Sequence, residues 1–90
     1  MSSLSIFESG LEAYRSGKFS LAASYFRQLI AADPSNWDAS FYLAMTLAQN
    51  SELKAAEAMF RSIIELCPNK ELRGRAEIAV RTLSEMNRKK

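Results

Sequence analysis

The chain contains no histidine, and its only cysteine is Cys67. Without an imidazole, no side chain ordinarily titrates near neutral pH to serve as a general base. One cysteine and no histidine give neither a zinc-ligand set nor an internal disulfide. An enzyme is therefore not expected, and no cofactor or metal is expected either. Valine occurs once and threonine twice, which is poor material for strands. No apolar run approaches the ~18–20 residues that a membrane span needs. Met1-Ser2-Ser3-Leu4-Ser5 has neither a basic start nor an apolar stretch, so no secretory signal is read and a cytoplasmic location is expected.

What is present favours helix. Thirteen Ala, ten Leu and twelve Ser stand in 90 residues, with 48% hydrophobic and 24% charged side chains. That is one small globular domain built from helix-forming stock. The net charge of +2 is uneven. Residues 1–69 hold five Lys/Arg against seven Asp/Glu; residues 70–90 hold seven against three.

A period of 34 runs through the first three quarters of the chain. Sliding 3–36 onto 37–70 pairs six identical residues: Phe7/Phe41, Ala22/Ala56, Phe26/Phe60, Arg27/Arg61, Ile30/Ile64 and Pro34/Pro68. Ordinary composition gives about two such matches by chance. Gly10/Ala44, Leu11/Met45, Phe19/Leu53 and Leu29/Ile63 match in size. Each unit reads as two helices: Leu4 to Ser16 and Ser20 to Ala32, then Asp38 to Gln49 and Lys54 to Cys67. Gly17 suits a left-handed helix end, and Pro34 and Pro68 stop the second helix of each pair. A last helix, Glu71 to Lys90, fits a shift of 36, which sets Leu43, Ala44 and Leu47 on Ala79, Val80 and Leu83. Its polar side carries Arg73, Arg75, Arg81 and Glu85.

These spacings resemble the tetratricopeptide repeat. The pattern of small, apolar or aromatic, Ala, aromatic, apolar and Pro stands as Gly10, Phe19, Ala22, Phe26, Leu29, Pro34, and again as Ala44, Leu53, Ala56, Phe60, Ile63, Pro68. Ser9 stands where Leu is usual, Ile6 and Ser40 where an aromatic is usual, and Ala13 where Tyr is usual. The first helix is therefore expected to pack loosely or to shift slightly in register. The resemblance implies an all-α solenoid of antiparallel helix pairs, five helices in a short right-handed superhelix. Repeat 1 is 3–36, repeat 2 is 37–70, and 71–90 is a capping helix with a basic end.

No catalytic constellation emerges. Ser16-Gly17-Lys18 lacks the spacing of a phosphate loop and reads as a helix–helix turn. Glu8 and Glu12 share a face without an acid–base partner. Cys67 reads as a packing residue, and Trp37 as packing on the turn beside Pro34.

The informative feature is a second apolar stripe. Leu4, Phe7, Leu11 and Tyr14 recur at helical spacing, with Phe41, Met45 and Ala48 in the matching places of the second unit. The resemblance implies that this face lines a concave groove for peptides or helices. It places Leu4, Phe7, Leu11, Tyr14 and Arg15 there from the first repeat, Asp38, Phe41, Met45, Ala48 and Gln49 from the second, and Arg81, with Glu77, from the last helix. The basic clamp by which one family variant holds a C-terminal carboxylate is missing, since Phe7 and Leu11 stand in its place. An aromatic and thioether lining suits an amphipathic helix or apolar peptide of another protein. The alternatives keep the fold: a homodimeric assembly adaptor with the groove self-occupied, or a small secretion-type chaperone shielding a client helix. Nucleic acid is not expected, because three Glu interrupt the basic end and no aromatic is interleaved for base stacking.

Overall fold

The computed structural model describes residues 2–88, which form five helices: α1 (Ser3–Arg15), α2 (Phe19–Ala32), α3 (Trp37–Gln49), α4 (Leu53–Leu66) and α5 (Lys70–Arg88). Lys89 and Lys90, the end of the sequence-predicted last helix, lie outside the described residues.

Local chemistry sets the boundaries. Ser2 Oγ accepts from the Ser5 amide at 3.2 Å and caps α1; Asn36 Oδ1 accepts from the Ala39 amide at 3.2 Å and caps α3. Asn69 Oδ1 accepts from the Leu72 amide at 3.0 Å at the start of α5. Each removes one orphan donor of a first turn. Asp33 and Cys67 end α2 and α4 in extended conformation, as the following prolines require. Between the helices of each pair, Gly17 (φ +78°) and Ser51 (φ +67°) make the same left-handed turn, 34 residues apart.

The helices pack in series, α1 on α2, α2 on α3, α3 on α4 and α4 on α5, with a lighter contact between α3 and α5. This is an all-α solenoid of helix pairs. Ala22 and Ala56 are fully buried and bring the helices close; Phe26, Phe60 and Ile63 fill the space beside them. At Gly10 the first helix lies close against α2. A Cβ built on Gly10 would stand 2.7 Å from Cε1 of the buried Phe26 ring, so backbone and ring are already in contact. Cys67 is buried, and Trp37 is half-buried against the core.

Candidate binding groove

Successive helical residues turn by about 100°, so a helix that buries one stripe leaves the next one over on its flank. On α3, Leu43, Ala44 and Leu47 enter the core, while Met45, Ala48 and Gln49 flank it. On α5, Ala76, Val80 and Leu83 are buried, and Ala79, Thr82 and Met86 flank them. These two flanks face a common groove of about 350 Å³. Phe60, Leu83 and Leu53 complete its apolar lining, and Tyr14 reaches it from α1. The Tyr14 ring is steadied edge-on by Phe19, 5.8 Å between centroids. Among the described residues no charged side chain lines the groove. Its polar groups are the exposed Gln49 amide, the tyrosine hydroxyl and Thr82, whose hydroxyl donates to the Ile78 carbonyl at 3.2 Å.

The structure brings Tyr14, Met45 and Gln49 together in this lining. Phe7 and Phe41 are placed differently. Phe7 rests edge-on against Phe26 (5.9 Å) and Tyr42 (5.6 Å); Phe41 rests edge-on against Phe60 (5.5 Å). Each is half-buried and packs on the phenylalanine of its own pair's second helix. Leu11 is half-buried against the core, and Arg15 is exposed at the end of α1. Arg81 and Glu77 are exposed and do not line the groove. Burial of Val80 and Leu83 turns Arg81 to the far side of α5, about 140° round the helix from the buried Ala76.

Thr82, Met86 and Ala79 were not singled out as groove residues from the sequence. Their signal is the spacing 79, 82, 83, 86, one stripe over from the basic residues. Tyr42 was also missed. It stacks on Phe26 at 5.9 Å and joins the aromatic clusters of the two pairs. Its partner at a distance of 34 is Glu8, so the repeat gives it no signal.

Serially stacked helix pairs with a groove along one face define a helical-repeat protein. A family model described as tetratricopeptide repeat matches residues 7–71, and the chain belongs to that family. Repeats of this family are protein–protein interaction modules. Comparison with curated proteins and comparison with solved structures each gave no match. Among the described residues no helix is long and apolar enough to cross a membrane, and no cluster of three or more His, Cys, Asp or Glu could hold a metal ion.

Proposed function

We propose that the chain is a non-enzymatic binding module that takes an amphipathic helix or apolar peptide of another protein into the groove between α3 and α5. The observation that carries this reading is an open, 350 Å³ groove with two methionines and, among the described residues, no charged side chain in its lining. Methionine side chains adapt to irregular apolar surfaces, so they suit a peptide anchored by a few large side chains. Residues 3–36 and 37–70 act as the two repeats, with the helix from 71 onward as the cap. Two repeats make a short groove, and ordering a peptide offsets much of the apolar gain, so affinity is about micromolar.

The test uses Met45→Glu rather than a change at Phe41, which supports Phe60. A partner isolated with the wild-type chain is trimmed to its minimal segment and titrated. Expected is an apolar or amphipathic segment whose affinity falls at least tenfold with Met45→Glu and is unchanged by Arg81→Glu. Full affinity in the Met45 variant would remove the groove from the binding surface.

A second reading is favoured by one observation: Leu4 and Met86 are 67% and 47% exposed. In it, a second copy covers the apolar face and the protein is a homodimeric assembly adaptor. A chaperone role is the same groove with an aggregation-prone client helix as occupant.

A further inference from the structure

The α5 wall of the groove is unevenly anchored. Its start is fixed by the Asn69 cap and by Arg73, whose Nη1 donates to the Cys67 carbonyl at 2.8 Å. Leu72, Ala76, Val80 and Leu83 are buried along its length. Among the described residues no core residue follows Leu83, yet Met86 still lines the groove.

A carboxylate on α4 reaches this last part. Glu57 Oε1 accepts from Asn87 Nδ2 at 3.1 Å, and Oε2 accepts from Ser84 Oγ at 3.3 Å. Arg61 donates to Oε2 from Nε at 3.1 Å and from Nη2 at 2.7 Å. Among the described residues these are the side-chain hydrogen bonds that join α4 to the last two turns of α5.

The repeat singles this contact out. Arg27 matches Arg61, but the buried Ala23 stands where Glu57 stands. The first repeat thus has a small apolar side chain where the second has a carboxylate that accepts from two donors on α5. An apolar contact tolerates sliding; hydrogen bonds to a carboxylate fix one geometry.

We propose that Glu57 is a positioning residue for the groove: through Ser84 and Asn87 it sets where the last two turns of α5 lie, and so how wide the groove stands at Met86. Its importance for binding rests on the groove reading above; its effect on α5 does not. The test therefore uses the ligand-free protein and two readouts. One is residue-resolved amide exchange along α5. The other is the distance distribution between spin labels on Gln49→Cys and Met86→Cys, with Cys67→Ala as background. Expected for Glu57→Gln, and separately for Asn87→Ala, is exchange faster by roughly twofold to fivefold over 83–88, unchanged exchange over 72–80, and a broadened label distance. Alanine is the better helix former, so loosening in Asn87→Ala cannot be assigned to helix propensity. Unchanged exchange and distance, or an acceleration spread evenly through α4 and α5, would overturn the proposal. Neither readout involves a partner, so a failed groove assignment and a failed positioning role give separate results.

Discussion

Gly10 and Ala44 hold matching places in the two repeats, but their surroundings differ. Opposite Gly10 the buried Phe26 ring is flanked by Phe7 and Tyr42, which leaves it little room to yield. An added methyl at Gly10 gains up to ~1 kcal/mol of helix propensity and meets ~1–3 kcal/mol of overpacking. Gly10→Ala is thus expected to destabilise the fold by about 1–2 kcal/mol, read as a lower melting temperature; a rise would show that the ring yields freely. Ser51 offers the reverse case. It takes a left-handed conformation that Gly17 fills in the first repeat. Relieving that strain is worth ~1–2 kcal/mol, and the greater freedom of glycine in the unfolded chain removes ~0.4–1. Ser51→Gly is expected to raise stability by about 0.5–1 kcal/mol in urea unfolding. Lower stability would contradict the strain at this turn.

At the scale of elements, α5 is the helix whose face is hardest to read. The 34-residue period lapses after residue 70, and a shift of 36 finds the core residues Val80 and Leu83 but sets Arg81 opposite Met45. The helix instead presents Thr82 and Met86 to the groove. Its clasp also gives α5 a pH dependence. The Arg61 guanidinium, and then the Asn87 amide, hold Glu57 below the ordinary glutamate value, against a smaller opposing effect of burial. A carboxyl whose pKa is lower folded than unfolded contributes fully above its unfolded value. That contribution fades as pH falls through the folded value. Wild-type and Glu57→Gln melting curves should therefore differ at neutral pH and converge in acid. Salt should shrink the difference, because Arg61 is more than half exposed. A gap that persists at low pH would show that charge is not what Glu57 supplies.

For the molecule as a whole, helix number and order were legible because they rest on local punctuation: Pro34, Pro68, Gly17 and the spacing of small and aromatic residues. The groove was legible in half. Tyr14, Met45 and Gln49 lie on one stripe and line it. Phe7 and Phe41 lie on the same stripe, but an aromatic at the edge of a helix can lean either into a groove or onto the next helix, and spacing does not distinguish the two. Here both lean onto buried phenylalanines. The Glu57 clasp joins residues 27 and 30 positions apart and leaves no periodic trace.

Whether the groove stands open for another protein is tested most directly by absolute mass in solution, from light scattering after gel filtration over a wide concentration range. Expected is the 10.1 kDa monomer throughout. A dimer that reverts to monomer with Met45→Glu would mean that the groove is filled by a second copy, and would contradict a groove kept for another protein.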